Sequence, residues 1–201
     1  MGQILETLFG SKNRVRLLRF FLLNPEQPYP LSEIARKNIV KISEARRELN
    51  NFLKIKFILK RLKNRKVFYV LNADFPFYPE LRNLFVKSNV YPQCRSLGKI
   101  KNAGDVKLAV ISGVFLNYPK SRADMVLVVN NLNRRRLKNL MSNLEAEIGK
   151  EINFVLMNSE EFKYRLNMTD RFLMEFLRGP HDELINKIPG LKNLINDLKK
   201  S

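Results

Sequence analysis

Ile4, Leu5, Leu8 and Phe9 recur at helical spacing, and after Gly10 the Ser11 hydroxyl can cap a second run in which Val15, Leu17, Leu18, Phe21 and Leu22 form a wide apolar face. Asn24-Pro25 stops it. Between Pro30 and Asn38 the pattern predicts a short helix with Ile34 and Ala35 turned inward and Ser32 and Glu33 in its first turn. Residues 38–41 serve as the turn to the next element. From Ile42 to Lys54 the apolar residues Ile42, Ala45, Leu49, Phe52 and Leu53 stand on one face of a 3.6-residue period. The opposite face carries Ser43, Arg46, Arg47, Asn50 and Lys54, residue types that hydrogen-bond phosphates and base edges.

Residues 57–62 and 66–71 are rich in β-branched and aromatic side chains and flank Lys63-Asn64-Arg65, which predicts a β-hairpin with a basic tip. Helix, helix, turn, helix and basic hairpin is the order of a winged helix-turn-helix. A helix about 10 to 12 Å across enters a major groove about 12 Å wide, while a hairpin can straddle the adjacent backbone or minor groove. Ser43, Arg46, Arg47, Asn50 and Lys54 are therefore the expected DNA-facing stripe, with Arg46, Arg47 and Asn50 in the groove. Lys63, Arg65 and Lys66 are expected on phosphate.

The pattern changes after a helix expected over 79–87, whose Leu81, Leu84 and Phe85 could pack on the first domain or on a second copy. Residues 89–104 form a boundary region whose structure the pattern does not specify beyond a short helix near 95–101, since Gly98 and Gly104 disfavour a longer one. Runs at 106–111, 125–129 and 152–157 read as buried strands, the last two joined by an amphipathic helix from Asn133 to Ile148. Leu191, Leu194, Ile195 and Leu198 predict a terminal amphipathic helix docked on the fold or on a sister subunit. The expectation is a two-domain α+β or α/β chain. Residues 1–88 form the winged helix-turn-helix and 105–201 a mixed α/β domain with a C-terminal helix.

Charge sharpens this. Among 201 residues, 37 Lys and Arg against 19 Asp and Glu leave a net charge of +18, of the kind that polyanions select. Between residues 54 and 66, Lys54, Lys56, Lys60, Arg61, Lys63, Arg65 and Lys66 occur without one acid, interleaved with Ile55, Phe57, Ile58, Leu59 and Leu62, so the run is no disordered tail. One cysteine, Cys94, excludes an intrachain disulfide framework and a multi-cysteine zinc site, and one histidine, His181, argues against a histidine-rich metal site. The expected setting is reducing cytoplasm, with no cofactor and no metal. No apolar run approaches the roughly 18 residues of a membrane span, and the first residues lack the order of a signal peptide.

Several stretches together resemble a prokaryotic family of transcriptional regulators. They are Leu8-Phe9-Gly10-Ser11-Lys12-Asn13-Arg14-Val15, Glu33-Ile34-Ala35-Arg36, Arg47-Glu48-Leu49, Tyr78-Pro79-Glu80-Leu81-Arg82, Lys150-Glu151-Ile152-Asn153 and Ser159-Glu160-Glu161-Phe162. In that family a winged helix is fused to a minimal nucleotidyltransferase-like domain, and the likeness covers roughly residues 5–180. The resemblance implies a Gly-Ser turn after the first strand of that domain, Asp-x-Asp on the second and a third carboxylate later, which together position a triphosphate and two metal ions. This chain departs from it. Gly113 is followed by Val114, Asp124 by Val126 two positions on, and Asn153 stands where the third carboxylate is expected. One carboxylate cannot assemble a two-metal site, so no catalytic residue is expected and Asp124 reads as a strand-start or turn residue.

Arg134, Arg135 and Arg136 follow Asn133, a candidate N-cap, at a helix end where the dipole disfavours cations, which suggests a phosphate contact or a solvated face. His181 reads as a surface loop histidine. The functional expectation is a DNA-binding regulator, a homodimer on double-stranded DNA, whose second domain dimerises, senses a nucleotide effector or binds another protein. The alternatives are an active nucleotidyltransferase and an antitoxin-like interaction protein.

Overall fold

The computed structural model describes residues 2–87 and 94–200, and the protein is a mixed α/β chain with two separate sheets. Two compact units divide it: Met1–Cys94 with Ser142–Glu151, and Arg95–Met141 with Ile152–Ser201.

In the first unit, helices α1 (Gly2–Phe9), α2 (Lys12–Leu23), α3 (Leu31–Asn38), α4 (Ile42–Lys54) and α5 (Tyr78–Lys87) combine with strands β1 (Tyr29–Pro30), β2 (Ile58–Lys63) and β3 (Lys66–Leu71). The sheet order is β1-β3-β2, antiparallel throughout. Leu17, Phe21, Leu22, Ile34, Leu49, Phe57 and Phe85 are completely buried in one cluster, the burial that holds amphipathic helices this short. Phe57 is the hub. Its ring meets Phe52 at 5.2 Å, Phe75 at 5.3 Å and Phe21 at 6.5 Å, all near edge-on, the arrangement that aromatic quadrupoles favour.

The end of α4 sets that hub. Lys56 takes a left-handed conformation, its N–H donates to the Leu53 carbonyl at 3.0 Å, and the Phe57 N–H reaches back to the Phe52 carbonyl at 2.9 Å. This is a Schellman motif with its apolar contact, and it turns the chain from α4 into β2. The turn between α3 and α4 repeats it, with Ile39 left-handed and the Val40 N–H donating to the Ala35 carbonyl at 3.0 Å.

Three readings of this unit change. Ile42, on the expected apolar face, is 52% exposed, because it opens α4 beyond the core. β1 was not expected; two residues, one of them proline, leave no alternation to read. Ser142–Glu151, expected within the second domain, belongs to the first unit. Gly149, at φ +79°, lies so close to α2 that a Cβ would meet Arg19 Cγ at 3.0 Å. Asn24 Nδ2 donates to the Gly149 carbonyl at 2.7 Å, and the buried Arg19 donates to the Glu147 carbonyl. Burial lowers the Arg19 pKa, and its guanidinium lies over the Phe85 ring.

The second unit is built on strands β4 (Asp105–Ile111), β5 (Met125–Asn130), β6 (Phe154–Met157) and β7 (Asp182–Asn186), in the order β6-β5-β4-β7. Only β5 and β6 run parallel. Helices α6 (Arg134–Ile148), α7 (Ser159–Asn167), α8 (Arg171–Arg178) and α9 (Leu191–Lys200) accompany them, α6 continuing into the first unit. β5 is buried on both faces from Met125 to Val129, and Leu191 and Ile195 dock α9 on the core with Phe162, Leu173 and Leu177. The last expected strand starts at Phe154 rather than 152, and β7, α7 and α8 were not anticipated. Of the boundary region, a 3-10 helix spans Arg95–Ala103, while residues 88–93 lie outside the described residues.

Candidate nucleic-acid interface

Helix α4 is two-faced. Ala45 and Leu49 are completely buried and Phe52 nearly so, whereas Ser43, Arg46, Arg47, Asn50 and Lys54 are all exposed, so the structure brings the five polar residues together on one solvent-facing stripe. Among the described residues none of Arg46, Lys54, Lys60, Arg61, Lys63, Arg65 and Lys66 is ion-paired, and Arg47 has one carboxylate oxygen, of Glu48, at 3.9 Å.

The stripe's rotation is fixed from beneath. Glu48 is 2% exposed, and its Oε2 accepts from Arg14 Nε of α2 at 2.8 Å, with Arg14 Nη2 reaching Oε1 at 3.5 Å. Arg14 Nη1 also donates to the Phe9 carbonyl at 3.0 Å, and Asn13 Nδ2 donates to Glu44 Oε2 in the first turn of α4 at 2.8 Å. Two consecutive polar residues of α2 thus grip two carboxylates of α4. Glu48 is absent from the predicted site, although its place three residues after Ala45 and four before Phe52 puts it on the buried face.

The hairpin tip is tighter than expected. Lys63 pairs with Lys66, leaving a two-residue turn of Asn64 (φ +50°) and Arg65 (φ +60°), the left-handed pair of a type I′ turn. Such turns favour Asn-Gly; arginine holds the glycine position here, against a steric cost of about 1 to 2 kcal/mol. Lys63 and Lys66, of like charge, stand directly opposite each other, which further weakens the pair. No acidic residue occurs between Glu48 and Asp74, so the whole hairpin is a one-sign surface.

In the second unit Arg134, Arg135 and Arg136 are exposed at the start of α6, with Asn133 Oδ1 accepting from the Arg136 N–H at 2.9 Å as the expected cap. They are remote in sequence from the stripe, and the structure gives them no carboxylate partner among the described residues. Gly113, at φ +50°, packs so tightly on Asp124 that a Cβ would overlap Asp124 Oδ1. That oxygen accepts from the Val114 N–H at 2.8 Å, and Oδ2 accepts from the Asn153 N–H at 2.8 Å. The Asp124 carboxylate therefore ties the turn after β4 to the loop before β6. Val126 is fully buried in the core beneath it. His181, expected on the surface, is half-buried, Nδ1 lying 2.8 Å from the Gly179 carbonyl and the ring stacked on Phe176.

A groove of about 720 Å³ in the first unit is bordered by Tyr29, Glu33, Arg36, Lys37, Glu145 and Glu151. Lys37 Nζ meets Glu151 across it at 2.7 Å and Glu33 on its own helix at 3.9 Å. The Lys37 hydrogen bond lowers the Glu151 pKa. Among the described residues no cluster of three or more His, Cys, Asp or Glu side chains could hold a metal ion, and no helix is long and apolar enough to cross a membrane. Comparisons with family models, with curated proteins and with solved structures return no match.

Proposed function

We propose that the protein is a cytoplasmic, DNA-binding transcriptional regulator in which residues 1–88 act as a winged helix-turn-helix and α4 enters the major groove. The reading is carried by one observation: the exposed stripe Ser43, Arg46, Arg47, Asn50 and Lys54 stands on a helix clamped by α2, and the chain that follows it is a hairpin of unpaired cations. The cost of Arg65 in a left-handed turn and of Lys63 opposite Lys66 supports the same reading, because a phosphate backbone offsets both. In this reading Arg46, Arg47 and Asn50 touch base edges, and Lys63, Arg65 and Lys66 touch phosphates.

A single such module offers few base contacts, so a homodimer on an inverted repeat supplies useful specificity. The second domain is a nucleotidyltransferase-like fold that performs no transfer and serves dimerisation, sensing or partner binding, with Arg134 to Arg136 available to phosphate. The test is a salt titration of duplex binding by the purified full chain, with its mass measured by light scattering. Each phosphate neutralised contributes about −0.9 to the slope of log K against log salt, so a steep slope is expected, and a flat one rejects the proposal.

A further inference from the structure

The hairpin carries an apolar feature that phosphate binding leaves unused. Directly paired residues of an antiparallel ladder share one face of the sheet, so Ile58 with Leu71, Lys60 with Tyr69, and Leu62 with Val67 form one row. The inner end of that row is core: Ile58, Tyr69 and Leu71 are buried against the helices. The outer end continues into solvent, where Leu62 is 77% and Val67 43% exposed. The other face of the tip carries Arg61 opposite Phe68, and Lys63 opposite Lys66. An exposed apolar pair between the outer strand β2 and the end of β3 that β1 does not reach is a liability that proteins ordinarily remove with a polar side chain. Here it is retained beside Lys60 on the same face and next to the tip cations Lys63, Arg65 and Lys66, with no acid in reach along the hairpin sequence.

An apolar pair flanked by cations is complementary to an apolar surface flanked by anions. Deoxyribose edges between phosphates have that form. We propose that Leu62 and Val67 are an apolar contact to the sugar edges of duplex DNA, made by the hairpin face that continues from the core, while the tip cations hold the flanking phosphates. This rests on the DNA-binding reading above and adds the hairpin's second mode of contact. An anionic lipid surface shares the pattern of apolar matter beneath phosphates. Two side chains bury too little there for stable attachment, and the stripe of Ser43 and Asn50 would have no role on it.

The test measures binding of the full chain to a random-sequence duplex and, separately, to vesicles containing phosphatidylserine, for wild type, Leu62→Ser, Val67→Thr and Lys63→Gln, with thermal melts to show that each variant is folded. Leu62→Ser is expected to weaken duplex binding about tenfold on every sequence while leaving the salt slope unchanged, since apolar contact releases no counterions. Hydroxyl-radical protection of the sugars beside the major-groove footprint should fade with it. Lys63→Gln should instead reduce the slope by about one unit. Wild-type affinity and sugar protection in both Leu62→Ser and Val67→Thr, with duplex binding intact, overturn the inference and leave the DNA reading standing. Vesicle binding that is lost in Leu62→Ser while duplex binding is not also overturns it. Absence of salt-dependent duplex binding by wild type removes both.

Discussion

The Glu48 carboxylate, buried on the inner face of α4, accepts a hydrogen bond from Arg14 Nε of α2 at 2.8 Å, while the Arg14 side chain itself keeps 38% of its surface exposed. The pair is therefore asymmetric, and removing its two halves should not cost the same. Arg14→Met leaves a buried carboxylate without its main cation, which typically costs about 3 to 5 kcal/mol. Glu48→Gln leaves a guanidinium that can turn to water and keeps an acceptor in place, so about 1 to 2 kcal/mol is expected. Urea melts of the two variants check the order; equal losses mean that the burial of Glu48 is not what makes the pair matter.

The same clamp makes a binding prediction, because it fixes which side chains of α4 face outward. Arg46→Ala and Arg47→Ala should each cost about 1 to 3 kcal/mol on a selected site and relax sequence preference there. The double replacement Lys63→Gln with Lys66→Gln should weaken all duplexes alike and flatten the salt dependence. Competition between a selected and a random duplex separates the two effects, and equal loss of discrimination from both sets means that α4 is not the helix that reads bases.

Ile39 and Arg65 are held left-handed at φ +51° and +60°, where a Cβ is disfavoured, and Ile39 is β-branched as well. Both side chains are exposed, so glycine removes the steric cost while forfeiting little packing, though it adds unfolded-chain entropy. Ile39→Gly and Arg65→Gly should each stabilise the fold by up to about 1 kcal/mol. Arg65→Gly should at the same time weaken duplex binding, and Ile39→Gly should leave it unchanged. A gain in stability with no loss of binding at Arg65 removes the functional account of that residue.

Much of the first unit was legible because its helices are short and their apolar spacing regular. α2 and α4 carry a clear apolar period, from which the core residues Leu17, Phe21, Leu49 and Phe52 follow, and the hairpin shows in its β-branched and aromatic content on either side of a turn. What escaped was set by tertiary contact. Gly149 belongs beside α2 because its missing Cβ lets the backbones approach, a fact no local pattern carries. Strand β7, Asp182–Asn186, is only half-buried along its length and so shows no alternation. In the candidate site the exposed stripe was readable from period alone. The Arg14–Glu48 grip was not, since it joins residues 34 positions apart. The left-handed Arg65 escaped too, because Asn-Arg is an unusual pair for that turn.

Burial raises the Cys94 pKa from 9.0 to about 12, reinforced by Glu147 and opposed by Arg19. In the unfolded chain the thiol ionises near its ordinary value, so as pH rises from about 9 toward 12 the unfolded state loses this proton first and stability falls. Below pH 9 the thiol makes no pH-dependent contribution. Cys94→Ala should flatten the decline relative to wild type in that window and nowhere else. At pH 8 the folded thiol should resist alkylation that goes to completion in urea; rapid alkylation of the native chain contradicts the burial.

Asp124 ties two loops through both carboxylate oxygens, and the chemistry expected of a nucleotidyltransferase asks something different of it. Transfer needs a paired carboxylate and a hydroxyl-bearing turn to hold two metals and a triphosphate, and the resemblance would put those positions at Val126, Asn153 and Val114. Val126 is sealed in the core, so no rotamer change brings a substitute ligand from that position. Asp124→Ala should therefore act on stability, leaving the Val114 and Asn153 N–H groups without their acceptor at a cost of about 2 to 4 kcal/mol, and Mg²⁺ or Mn²⁺ should not shift the melting temperature of wild type. No labelled nucleoside triphosphate should transfer to nucleic-acid or protein acceptors in the presence of either metal. Metal-dependent transfer that disappears in Asp124→Asn, assayed at a temperature where that variant is folded, would make the domain an enzyme and Asp124 its surviving ligand; transfer that persists in the variant points to a contaminant.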